Sequence, residues 1–111
     1  MCVQILKDVK YNLFFTNIIM NKLLAEFLGT LFFLYVILAA PSGPKAGIPI
    51  GIALAVAIMM FGKVSGGNFN PAVTFMMVAK GAQPAADLLP YIVAQVAGGL
   101  AALELYKRVK L

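Results

Sequence analysis

The chain has 111 residues, of which 62% are apolar and only 12% charged, with a mean hydropathy of +0.94. Soluble domains run at roughly 45–50% apolar and about 25% charged, so this is a membrane composition, and at about 20 residues per helical span it holds three crossings with short connections. Four acids, one cysteine and no histidine support no metal site, disulfide framework or histidine-activated nucleophile, and the net charge of +5 sits at the ends of apolar runs rather than in a nucleic-acid stripe.

Neither an enzyme nor a cofactor protein is therefore expected, and nucleic acid is not an expected partner. Three helices are too few to enclose an aqueous pore, so any transport requires partner subunits.

Residues 1–20 carry two readings. Val3, Leu6, Val9, Leu13 and Phe14 recur at helical spacing among Lys7, Asp8, Lys10 and Asn12, which suits a helix lying in the membrane interface. Alternatively Met20 is a natural start and residues 1–19 are a leader or non-native extension. From residue 21 the chain reads as one unit to residue 111.

The first span is expected at 22–40, ended by Pro41, Ser42, Gly43 and Pro44. The second covers about 48–63, with Pro49 in its first turn. The third covers about 87–106, with Asp87 as N-cap and Pro90 at the third helical position. Ala94, Gly98 and Ala102 form a ladder of small residues on the third span, and Gly47 and Gly51 form another on the second.

Residues 64–80 break the pattern. Val64 to Pro71 holds two glycines, two asparagines and a proline, and Ala72 to Lys80 is apolar again before Gly81. Asn70 is a favoured N-cap and Pro71 a favoured first helical residue, so a helix is predicted to start there. At about 16 Å it is half a membrane long, which suits a loop that dips inward and a half-helix that returns. Such a helix presents unpaired N–H groups and a partial positive charge at its start. If the Asn70 oxygen caps an N–H, its NH2 is left to meet a hydroxyl or water, and cations are repelled. The same dipeptide also suits a plain buried turn.

The run Ser65-Gly66-Gly67-Asn68-Phe69-Asn70-Pro71-Ala72-Val73-Thr74 resembles the first Asn-Pro-Ala loop of the aquaporin and aquaglyceroporin (major intrinsic protein) family. Ala25-Glu26-Phe27-Leu28-Gly29-Thr30 is similar to the opening of that family's first helix, and Tyr91 to Gly98 resembles its third. The matches cover residues 21 to 106 and correspond to the first half of a six-helix, two-repeat fold. The fold class implied is all-α: three transmembrane helices plus one re-entrant half-helix, equivalent to one inverted repeat, with the second Asn-Pro-Ala loop absent.

By this resemblance Asn70 is a pore donor, supported by Pro71 and Ala72, and the carbonyls of Gly66, Gly67, Asn68 and Phe69 line the path. Glu26 braces the loop by accepting from its backbone or from Asn68, against the alternative that it snorkels beside Lys22. Gln95 is read either as a family-like polar packing group or as a tolerated amide. Val73 stands where the other repeat of the family carries arginine, and Ile50 where water-selective members carry an aromatic. Those two positions point to a wider, more apolar mouth suited to glycerol or other small neutral solutes.

The expected partners are the lipid bilayer, a small neutral solute, and a second half: an antiparallel copy in a homo-oligomer, or a separate subunit. In the family orientation Lys7, Lys10, Lys22, Lys63 and Lys80 lie inside and Lys45, Lys107, Arg108 and Lys110 outside, five against four. Starting at Met20 makes it three against four. Either count leaves orientation nearly undecided, as dual insertion requires. The alternative from a different class is a non-conducting truncated protein that docks on another channel or helix bundle.

Overall fold

A computed structural model describes residues 1–109. Lys110, one of the outer cations counted above, and Leu111, the expected end of the half domain, lie outside the described residues. Among the described residues four helices follow one another: α1 (Cys2–Ala39), α2 (Gly47–Ser65), α3 (Pro71–Lys80) and α4 (Leu88–Arg108). Single 3₁₀ turns at Pro44–Ala46 and Ala85–Asp87 lead into α2 and α4. Three helical segments are long and apolar enough to cross a membrane, and α3, at 10 residues, is not. The architecture is the all-α, three-span one expected from composition.

Residues 2–20 form the N-terminal half of α1, exposed throughout and continuous with the first span. No proline or glycine lies between Cys2 and Leu28 to interrupt it, and its 38 residues reach about 57 Å. Gly66, at φ 92°, ends α2 two residues beyond Lys63, where its N–H bonds the Gly62 carbonyl at 2.9 Å. Gly81 ends α3 in the same left-handed manner, at φ 84°.

Asp87 stands at the N-cap position of α4 with Pro90 third in the helix, as expected, but its side chain makes no capping bond. Asp87 is already in a helical conformation, with its N–H bonded to the Pro84 carbonyl at 3.0 Å, and its side chain caps no N–H. The 3₁₀ turn has started the helix before Asp87, so no free N–H faces its carboxylate. Asp87 accepts instead from Gln83 Nε2 at 3.4 Å.

The interior is built of small and polar groups. The buried apolar residues are Ala25, Ala53, Ala57, Phe69, Tyr91 and Ala102, while Ile48, Ile52, Met59, Met60, Phe75, Met76, Leu89 and Leu100 face outward. In lipid this is the favourable arrangement, because large aliphatics gain nothing by leaving the tails and close backbone approach supplies the packing. α1 packs against both α2 and α4, and α3 packs against α4.

The α1–α4 contact depends on Gly98. A Cβ there would sit 2.6 Å from the Phe27 carbonyl oxygen and 3.2 Å from the Leu31 nitrogen, both backbone atoms of α1. Gly98→Ala is accordingly expected to lose about 1–3 kcal/mol, read as a lower thermal midpoint in detergent. Gly51→Ala, with nothing within 4 Å of its Cβ position, is the matched control and leaves the midpoint in place.

Candidate functional site

Where α2 stops, the chain turns back through left-handed residues. Gly66 and Gly67 have φ of 92° and 68°, which glycine adopts without strain. Phe69 follows at φ 53°, the one non-glycine residue with positive φ among those described. A bulky residue in that region is held by its surroundings.

What holds it is a carboxylate. Glu26, on α1, is fully buried and accepts four hydrogen bonds. Its Oε2 takes the Ser65 hydroxyl at 2.6 Å and the Asn68 N–H at 3.2 Å. Its Oε1 takes the Phe69 N–H at 2.9 Å and Gln95 Nε2 at 2.8 Å. One side chain thus joins α1, the end of α2, the loop and α4. An acid in the middle of an apolar run is tolerable only with such partners. Lys22 lies one turn earlier, and the Glu26 carboxylate turns inward rather than toward it.

A second hub is Thr74 on α3. Its Oγ1 accepts from Gln95 Nε2 at 2.9 Å and from Asn68 Nδ2 at 3.1 Å, and donates to the Asn70 carbonyl at 3.3 Å. Asn68 Nδ2 also reaches Gln83 Oε1 at 2.8 Å, tying the loop to the α3–α4 connection. Tyr91 Oη donates to the Ser65 carbonyl at 2.7 Å, satisfying an orphan acceptor at the end of α2. α3 is therefore placed by polar bonds more than by apolar contact.

Asn70 caps α3. Its backbone is extended (φ −157°, ψ 125°) and its Oδ1 accepts from the Ala72 N–H at 2.8 Å. Its Nδ2 has no acceptor among the described residues, and the side chain is exposed. It lies in a groove of about 530 Å³ between α1 and α4, with Pro71 and Phe69 beside it, Thr30, Phe33 and Leu34 on one wall and Gln95, Val96 and Gly99 on the other. Thr30 Oγ1 and Gln95 Oε1 are buried without partners on these walls.

The residues singled out in the sequence are thus only partly brought together. Phe69, Asn70, Pro71 and Gln95 share the groove, whereas Gly66 and Asn68 line a second cleft with Lys22, Lys63, Gln83 and Asp87. Gly67 lines neither cleft; a Cβ on it would meet Ile58 and Phe69 at 3.4 and 3.5 Å. Ala72 is exposed and Val73 half-buried on the first turn of α3, and Ile50, half-buried on α2, lines neither cleft. Sequence reasoning missed Ser65, Thr74, Tyr91 and Gln83 as members of the network. Ser65, Thr74 and Tyr91 stand in the very motifs quoted, so their hydroxyls in apolar runs were the available signal.

The major intrinsic protein family model matches residues 14–110. Among curated relatives, Glycerol uptake facilitator protein-like 6 of Lactiplantibacillus plantarum is 41% identical over 88 residues, covering 75% of this chain and 41% of that protein. Aquaporin Z of Brucella melitensis is 44% identical over 95 residues, with 75% of this chain and 41% of that protein covered. A glycerol uptake facilitator protein of Streptococcus pneumoniae is 40% identical over 98 residues, with 73% and 40% covered. The chain spans about two-fifths of the length of these relatives. With three apolar helices of spanning length and a family match over nearly all its residues, the chain is a multi-pass integral membrane protein and belongs to the major intrinsic protein family.

Proposed function

We propose that the chain is a half-channel subunit for passive passage of water or small neutral solutes such as glycerol. The observation that carries this is Asn70: a capping side chain at the start of a half-membrane helix, its NH2 unpaired, in a groove open along one side. In this reading the loop from Gly66 to Phe69 and α3 re-enter the membrane together. Asn70 Nδ2 and the helix start then offer donors to a solute oxygen, and their positive potential repels cations. Loop carbonyls act as acceptors, Pro71 and Ala72 keep the cap, and Ile50 and Val73 contribute to an apolar mouth. Glu26 and Gln95 hold the loop. The names of the relatives, which include both aquaporin and glycerol uptake facilitator, support the solute class.

The missing wall of the groove is supplied by a second half. An antiparallel copy of the same chain brings two Asn70 side chains toward one another, and the near balance of cations supports insertion both ways. A separate second-half subunit is the other source.

Proteoliposomes holding the purified chain are expected to shrink faster than empty vesicles under a sucrose step, and to reswell faster under glycerol. Equal rates with and without protein would make this a non-conducting chain that docks on another bundle. Tagging both termini sorts the two sources of the second half. Mixed orientation supports the antiparallel copy, and a single orientation removes it in favour of a separate subunit.

A further inference from the structure

Gly29 has no part in the scheme above, yet it forms the floor beneath the left-handed turn. A Cβ built on it would lie 2.6 Å from Phe69 Cζ and 2.7 Å from Cδ1, and closer still to Cε1. No neighbour can yield cheaply. Phe69 is 2% exposed and its ring stands edge-on to Phe61 with centroids 6.5 Å apart, and on the Gly67 side an added Cβ would already be 3.5 Å from Cε2. Phe69 is thus gripped twice by one face of α1: its N–H by Glu26, and its ring by the hollow at Gly29, one turn on.

The consequence falls on the next residue. Phe69 holds a φ of 53° that a bulky side chain adopts only when its surroundings enforce it. Asn70 is extended because Pro71 follows it and it caps α3 locally, so what Phe69 sets is the place and direction from which that capped residue starts.

We infer that Gly29 is a positioning residue for Asn70: the hollow left by its missing side chain seats the Phe69 ring, holds residue 69 left-handed, and so aims the Asn70 carboxamide into the groove. Resting on the reading of Asn70 as a channel donor, this adds a specific mechanical link between α1 and that donor. The link differs from general helix packing. Gly98 is also tight, but against the backbone of α1, and it touches no atom of Phe69 among its nearest neighbours.

The test is a size-complementary pair, Gly29→Ala with Phe69→Leu. Leucine lacks the Cε1 and Cζ atoms, and its remaining methyls can turn away from an added Cβ. The first readout is the side-chain amide resonance of Asn70 in detergent micelles, identified by its loss in Asn70→Asp. The second is glycerol permeability in proteoliposomes. Gly29→Ala is expected to move the resonance and to cut permeability by up to about a hundredfold, the scale of a displacement of about 1 Å at a working group. Adding Phe69→Leu returns the resonance toward its wild-type position and restores most of the flux. Gly98→Ala, which loosens the same helix pair, is not rescued by Phe69→Leu.

An unmoved resonance in Gly29→Ala, or no recovery in the double variant, overturns the proposal. Should Gly29→Ala not fold, folding of the double variant is the rescue, and its failure to fold counts against the link. If the wild-type chain carries no flux, the channel reading fails by itself, while the resonance still decides the positioning role.

Discussion

Glu26→Ala is expected to be the most damaging single substitution in the protein. It removes the acceptor of four donors at once: the Ser65 hydroxyl, the Asn68 and Phe69 backbone N–H groups, and Gln95 Nε2. Each buried donor left unpaired costs about 1–3 kcal/mol, and in a membrane no bulk water replaces the lost partner. The Ser65 hydroxyl can turn to the Phe61 carbonyl at 3.5 Å, and the other three groups together still reach a value comparable with the whole stability of a small domain, about 5–15 kcal/mol. The loop from Gly66 to Phe69 should come loose, and with it the start of α3. Glu26→Gln keeps the shape but replaces one acceptor oxygen with an NH2 that faces donors, so it should fall between. Thermal unfolding in detergent is expected to rank wild type above Gln and Gln above Ala, with faster tryptic cleavage after Lys63 in the same order. Glu104→Ala is the control, since its pairs with Lys107 at 3.6 Å and Arg108 at 4.0 Å are exposed and contribute little. A Glu26→Ala chain as stable as the wild type would remove Glu26 as the anchor of the loop.

Much of this architecture was legible because it follows from local chemistry. The start of α3 at Asn70 and Pro71 and its end at Gly81 are capping events decided within a few residues, and the structure has both. The small-residue ladder on α4 is likewise real at Gly98 and Ala102, which are buried. The same spacing at Gly47 and Gly51 faces open space, because a pattern on one helix does not say which face another helix meets. Asp87 takes the expected N-cap position without the side-chain cap, because that bond depends on where the preceding turn begins, and a 3₁₀ turn is not marked by composition. Glu26 was recognisable as an acid needing partners, but those partners lie 39 to 69 residues away in the chain. Least legible was Phe69. Left-handed positions are normally signalled by glycine or asparagine, and here a phenylalanine takes one, its N–H bonded to Glu26 on another helix.

Asn70→Asp separates the two roles of this residue, and its effect on transport is expected to be large while its effect on the fold is small. Aspartate retains the oxygen that accepts from the Ala72 N–H, and its charge at the start of α3 is favoured by the helix dipole. The thermal midpoint should hold or rise slightly. What disappears is the donor, because a carboxylate has no N–H to offer. On the proposed path, loss of a net hydrogen bond to the solute of about 1.4 kcal/mol corresponds to about tenfold in flux. The reversed potential should also admit cations, which the positive potential proposed for the wild-type helix start would repel. Osmotic shrinkage and a potential-sensitive dye measured on the same vesicles read both effects. Unchanged solute flux with no cation leak, at an unchanged midpoint, would leave Asn70 as a helix cap alone and place the conducting path elsewhere.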